Sequence, residues 1–260
     1  MPGEEAKLLP HLKEHIALAK EIERDFVTES EKESDETERK KNFFVYHFLH
    51  RTIAYGESIE LLVEKGFYHE AVLVARTVLE GTINFEYYKD HHDIADKWFL
   101  FRIYEDGKRV ANTFALASTR KWLATNNFNE KLVDRAEKEF GFNYLPKETL
   151  TFSKKSLSDL INRINDTKLR RVIRHQYDTI YYEFSQIVHW SPSGVADGEI
   201  SAPLAVTAAI DALFEMLSEA NKKYCLGFNK NIGKIHDAAD KTVTMLTGIK
   251  TEPNRKQETK

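Results

Sequence analysis

The sequence predicts an all-α protein, a single helical bundle of about eight to nine helices with no significant sheet. Three observations carry this reading. Only 11 Gly and 6 Pro occur among 260 residues, so long stretches run without the residues that interrupt helices. Apolar residues recur at helical spacing almost everywhere, and no stretch alternates as a half-buried strand does. Residues 68–88 are apolar over most of the helical circumference (Ala71, Val72, Leu73, Val74, Ala75, Val78, Leu79, Ile83), the pattern of a helix in the middle of a bundle.

Taken in order, a first helix spans residues 12–26 behind Pro10. Residues 28–41 are dense in charge and nearly free of apolar side chains, which predicts a solvated linker that turns helical by Glu38. Residues 1–40 thus form an N-terminal helix and charged linker, residues 41–248 the bundle domain, and residues 249–260 a disordered polar tail. A long helix through Phe43, Phe44, Phe48 and Tyr55 ends at Lys65, where Gly66 suits a left-handed cap. After the helix at 68–88, Asp90 or Asp93 caps a fourth helix reaching Leu116. A short helix at 129–140 stops at Gly141, and Ser156 with Asp159 forms a capping box. Residues 168–189 make another long helix, and 190–201 are a loop. Pro203 opens a helix that continues to Tyr224, and a last one covers 232–246.

Composition excludes several classes. A net charge of -3 advertises no nucleic-acid binder through a global basic field, and no DNA partner is evident. One cysteine, Cys225, leaves no intramolecular disulfide and no multi-cysteine zinc site. The acidic start predicts no signal peptide. The most apolar stretch, 202–217, contains Asp211 and Glu215 and falls short of a membrane span, so the cytoplasm is the expected location, with no membrane partner.

Two constellations carry chemistry. At 100° per residue, the helix at 168–189 separates into two faces. Leu169, Ile173, Ile180, Phe184 and Ile187 form the apolar one; Arg171, Asp178, Tyr182, Ser185 and His189 form a polar stripe, flanked by Arg174 and His175. These groups donate, accept and titrate, unlike the Lys/Glu mixture of an ordinary solvated face. The second constellation is Arg76 and Glu80, an i,i+4 pair whose wheel neighbours are apolar. It is expected to be largely buried, as a clamp between helices or as an Arg presented to an anion.

The run from Gly66 through Ala71 to Arg76-Thr77-Val78-Leu79-Glu80 resembles the G…A…R-x-L-L-E signature of a bacterial helical family, domain of unknown function 5677. Tyr181-Tyr182…Ser185…His189…Ser191 resembles that family's Y…S-x-x-x-H-x-S ending, and Trp98 to Arg102 falls where the family has an aromatic-rich helix. The resemblance covers roughly residues 41–224. It implies a helical bundle in which Arg76, Glu80, Tyr182, Ser185 and His189 converge, and it brings no activity with it.

Arg170 and His175 share the R-x-x-x-x-H spacing of the HEPN superfamily of metal-independent ribonucleases, although Arg171 stands where that family has a small polar residue. Further patterns have metal-ligand spacing: the H-x-x-E-H run at His11 to His15, which has no evident third ligand, the cluster Asp90, His91, His92, Asp93 and Asp96, which capping of a helix start explains more cheaply, and His236 with Asp240 at i,i+4, which takes the same structural reading. No metal or other cofactor is assigned. The sequence therefore supports a binding module with a polar cleft built from Arg76, Glu80, Asp178, Tyr182 and Ser185. The alternative is a HEPN-like endoribonuclease of toxin or phage-defence type using His189, His175, Arg174 and Arg171. The partners these readings call for are RNA or another anionic ligand and a second copy of the chain, as a homodimer.

Overall fold

The computed structural model describes residues 3–89, 156–181 and 198–247, together with Lys131, Asp134, Arg135 and Lys138. The described residues hold seven α-helices and one π-helical turn, against the eight to nine helices expected for the whole chain, and no strand. These are α1 (Glu4–Ser30), α2 (Glu36–Glu64), α3 (Tyr68–Tyr88), α4 (Leu157–Asn162), α5 (Thr167–Gln176) with the π turn Tyr177–Tyr181 behind it, α6 (Gly198–Tyr224) and α7 (Asn229–Thr247). The chain divides into two compact units, one formed by Met1–Glu86 with Ile164–Lys260 and the other by Tyr87–Arg163.

In the first unit, α1, α2, α6 and α7 pack on one another. Their facing stripes are fully buried: Leu12, Ile22 and Phe26 from α1, Leu49 and Ile59 from α2, Ala205, Val206 and Leu213 from α6, and Ile232 from α7. Burial of this kind stabilises by about 1.5–3 kcal/mol per large side chain, far more than helix propensity contributes. α3 joins through Phe85, which stacks on Phe44 at 5.9 Å and tilts against Phe48 at 5.5 Å. α1 contributes Leu8, Leu12, Ile16, Ala19, Ile22 and Phe26 to the core.

Several expected boundaries move, for physical reasons. α1 begins at Glu4 and runs straight through Pro10 instead of starting behind it. Pro10 has no N–H for the Ala6 carbonyl, but both residues face solvent, where water can serve that group, while Leu8 and Leu12 are buried on the other side. The charged linker shrinks to residues 31–35, because helix persists to Ser30 and Asp35 caps α2 by accepting from the Glu38 N–H at 2.9 Å. The expected loop at 190–201 gives way to helix from Gly198, so Pro203 lies inside α6 rather than at its first position.

The local signals fare better. Gly66 takes φ 76°, and the chain closes α2 with Phe67 N–H on the Leu62 carbonyl at 2.8 Å and Gly66 N–H on that of Val63 at 3.1 Å. That pair of bonds is a Schellman cap. In the second unit, Ser156 and Asp159 form the capping box: Asp159 N–H donates to Ser156 Oγ at 3.2 Å, and Ser156 N–H to Asp159 Oδ2 at 3.3 Å. Lys131, Asp134, Arg135 and Lys138 are helical and exposed at i, i+3, i+4, i+7 spacing, the solvated face of the helix expected at 129–140. The helix expected behind Asp90 and the tail at 249–260 lie outside the described residues. Among the described residues, no helix is long and apolar enough to cross a membrane.

The glycines give a paired prediction. Gly66→Ala forces a side chain into a left-handed conformation and should cost about 1 kcal/mol. Gly81, inside α3, has no heavy atom of another described element within 4 Å of an added Cβ. Gly81→Ala should therefore stabilise by about 0.5–1 kcal/mol. Urea midpoints of the two variants should move in opposite directions.

Candidate functional site

Arg76 and Glu80 lie one turn apart on α3 and meet a third group, Tyr181, at the end of the π turn. Arg76 Nε–H donates to Glu80 Oε1 at 3.2 Å and Nη2–H to Tyr181 Oη at 2.8 Å; the phenol then donates to Glu80 Oε1 at 3.1 Å. The three side chains close a ring of hydrogen bonds. The Arg76 guanidinium also sits 4.7 Å from the Tyr181 ring centroid. Burial first, and then the Glu80 carboxylate, push the Tyr181 phenol above its ordinary pKa, against the pull of Arg76. It therefore keeps the proton that its bond to Glu80 requires. For Arg76, burial pulls the pKa down, but the bonds to Tyr181 and Glu80 outweigh it and the guanidinium is held charged.

The pair is not the buried clamp expected from its apolar neighbours. Arg76 keeps 23% of its side chain exposed and Glu80 38%. One edge of α3 faces out there, with Leu73 exposed nearby, so the desolvation cost is smaller than for an enclosed ion pair.

Helical periodicity does not single out Tyr181: on a straight α-helix through 168–189 it falls about 20° from Arg174, at the margin of the polar stripe, with Tyr182 inside the stripe. The π turn widens the spacing there and re-aims the side chains beyond it. Upstream, α5 is capped by Asp166, which accepts from the Lys168 and Leu169 N–H groups. Along it, Arg174 pairs with Asp178 at 3.6 Å, in keeping with the i,i+4 spacing, and sits 5.8 Å from the Tyr177 ring. Tyr177 stacks on Tyr181 at 4.8 Å. Arg174, Tyr177, Tyr181 and Arg76 therefore form one cation–aromatic ladder from α5 to α3. Arg171 and His175 are exposed on α5, and Arg170 donates to Thr167 Oγ1 at 3.2 Å. Tyr182, Ser185 and His189 lie outside the described residues.

A second polar cluster joins residues that the sequence keeps apart. One ligand atom each from Asp211 on α6 and from His236 and Asp240 on α7 lies within 4.8 Å of the others. His236 stacks on Phe214 at 3.8 Å between ring centroids and takes the edge of His15, from α1, at 5.8 Å. Gln176 Nε2–H donates to Asp211 Oδ2 at 2.6 Å. Burial, then the carboxylates of Asp240 and Glu215, raise Asp211 to about 8, and burial followed by Asp237 raises Asp240 to about 6. Burial, with His15 adding to it, lowers His236 to about 3. The 3.8 Å contact of His236 with Asp240 therefore joins a neutral imidazole to a carboxylate, not two ions. The legible signals are the H-x-x-E-H and His236–Asp240 patterns with metal-ligand spacing and an Asp within the most apolar stretch; nothing in the sequence says that they meet.

Two predictions arise here. Arg76→Ala should lower stability by only about 1 kcal/mol, because the pair it breaks is partly solvated; denaturant unfolding checks this. The second concerns pH. Asp211 binds its proton more tightly folded than unfolded, so its contribution is present below its ordinary pKa and is lost as pH rises toward 8. Asp240 acts the same way, with the loss complete near 6, while His236, whose folded pKa is depressed, contributes the opposite slope below 6.5. Between pH 6.5 and 8 only the Asp211 slope remains of these three. The melting temperature of the metal-free protein should fall across that interval, and Asp211→Asn should remove that part of the fall.

No curated protein and no solved structure matches the chain. The model of the Family of unknown function (DUF5677) matches residues 42–199. That span takes in Arg76, Glu80 and Tyr181, whereas His15, Asp211, His236 and Asp240 fall beyond it. With more than half of its length matched, the chain belongs to the DUF5677 family.

Proposed function

We propose that the chain is a helical binding module that takes an anionic, phosphate-bearing ligand at a polar cleft centred on Arg76, Glu80 and Tyr181, with Tyr182, Ser185 and His189 as its other wall. The observation that carries this reading is the state of Arg76. Of the five N–H donors of a guanidinium, two are engaged within the hydrogen-bonded ring among the described residues, and the head group stays partly exposed. Glu80 and Tyr181 hold it in place, which is the preorganisation that a bidentate contact to phosphate needs. α5 adds Lys168, Arg170, Arg171, Arg174 and His175 with no acidic residue from Thr167 to Gln176, so a local basic strip adjoins the ladder despite the net charge of -3.

The second reading, a metal-independent endoribonuclease of toxin or defence type, is favoured by His175 standing exposed on that basic helix. Against it, Arg170 and His175 are five residues apart on regular α-helix, about 140° around the axis, so one chain does not turn both toward one phosphate. Such a site would draw a partner group from a second copy in a homodimer.

The test is titration of the full chain with inorganic phosphate and with a short single-stranded oligoribonucleotide, followed by calorimetry and by gel for RNA integrity. Saturable binding that Arg76→Lys weakens roughly tenfold, with RNA left intact, is the expected result. Absence of binding to either anion, or an unchanged affinity in Arg76→Lys, rejects the anion site. RNA cleavage without metal that His175→Ala abolishes would replace the module with the nuclease.

A further inference from the structure

We propose that Asp211, His236 and Asp240, with the buried His15 ring packed beside them, form a binding site for one divalent transition-metal cation of the zinc or manganese kind. Convergence is the first support: three ligand atoms from two helices lie within 4.8 Å of one another. Donors at metal–ligand distances of about 2.1 Å stand about 3–4 Å apart, so closure around an ion needs side-chain shifts of an ångström or less.

The second support is independent of the carboxylates. His15 is fully buried, and its Nδ1 lies 2.7 Å from the His11 carbonyl. A carbonyl only accepts, so the ring proton is on Nδ1 and Nε2 carries a bare lone pair. That nitrogen has no hydrogen-bond partner among the described residues, in a ring edge-on to His236. Leaving a buried acceptor unmatched is unfavourable, and a cation beside it offsets that penalty. The neighbouring His236, itself one of the three converging groups, is only 5% exposed, and its Nδ1 likewise has no hydrogen-bond partner among the described residues. His11 is itself held, with Nε2 2.9 Å from Thr242 Oγ1, so α1 is tied to the helix that carries His236 and Asp240.

Charge points the same way. Two carboxylates, Asp211 and Asp240, stand together with a single imidazole, that of His236. Gln176 occupies one lone pair of Asp211 and orients it, leaving further acceptor capacity. A mixed imidazole and carboxylate set selects borderline cations over Mg2+ or Ca2+, which prefer all-oxygen shells. Asp240 keeps 21% of its side chain exposed, which provides the entry path.

The test uses the full chain without an affinity tag, stripped with a chelator and titrated separately with Zn2+, Mn2+, Mg2+ and Ca2+ by calorimetry. One equivalent of Zn2+ or Mn2+ should bind, about a hundredfold or more tighter than Mg2+ or Ca2+. Asp240→Asn, at the partly exposed edge, and His236→Gln should each weaken it at least about tenfold. Because His236→Gln alters the core, a variant-free readout accompanies it: Co2+ added to wild type should shift or broaden the His15 and His236 ring-proton NMR signals. Lack of one-equivalent binding by Zn2+ and Mn2+, an unchanged affinity in Asp240→Asn, or ring signals untouched by Co2+ would each overturn the site. Equal affinity for Mg2+ or Ca2+ would overturn its assigned chemistry.

Discussion

At Gly56, side chains of α1 and α6 meet on α2. A Cβ there would stand 3.4 Å from Ile16 Cγ1 and 3.5 Å from Leu213 Cδ1, so the absence of a side chain on α2 lets the other two helices seat against it. α6 prepares the approach with buried alanines at 202, 205, 209 and 212, which keep one of its faces low. The polar chemistry depends on this packing. Ile16 is next to His15, and Leu213 is two residues from Asp211, so the turns that meet at Gly56 also set the heights of the His15 and Asp211 side chains. A wider gap between these helices would separate the groups by more than a ligand bond can span.

The two polar constellations solve opposite electrostatic problems. At Arg76, Glu80 and Tyr181, a cation and an anion share a neutral phenol at a partly solvated edge, so charge is balanced and every bond inside the ring has a donor and an acceptor. At Asp211, His236 and Asp240, carboxylates crowd against imidazoles that burial keeps neutral. The first arrangement holds a donor-rich head group in place for an acceptor. The second lacks positive charge, and protonation of Asp211 is how the metal-free chain meets that deficit at neutral pH. The long aromatic side chains serve both, through the Tyr177–Tyr181 stack at one and Phe214 under His236 at the other.

What could be read ahead of the structure was what neighbouring residues decide among themselves. Gly66 as a cap, the Ser156 and Asp159 box and the Arg174–Asp178 pair each need only a few consecutive residues, and each is found. The apolar circumference of residues 68–88 marks a bundle helix for the same reason. Pro10 misleads because its cost cannot be weighed without knowing that its side of α1 faces water. Tyr181 stands beside Arg174 at the margin of the polar stripe on a helical wheel, and no short-range pattern says that it reaches Arg76 and Glu80 on α3.

Fold class, family and the identity of Arg76 and Glu80 as a pair were determined by the sequence itself, since periodicity, capping and i,i+4 contact are short-range effects. The meeting of His15 with His236, and of Asp211 with both residues of the His236–Asp240 pair, was decided only by tertiary packing. No local pattern shows the cluster, because Asp211 lies on a different helix from His236 and Asp240, and His15 comes from the opposite end of the chain. So too with exposure: the wheel places Arg76 among apolar neighbours, but whether they face a core or an edge depends on which helices pack against α3. Burial sets the cost of a charge, and burial is a property of the assembled helices rather than of any one of them.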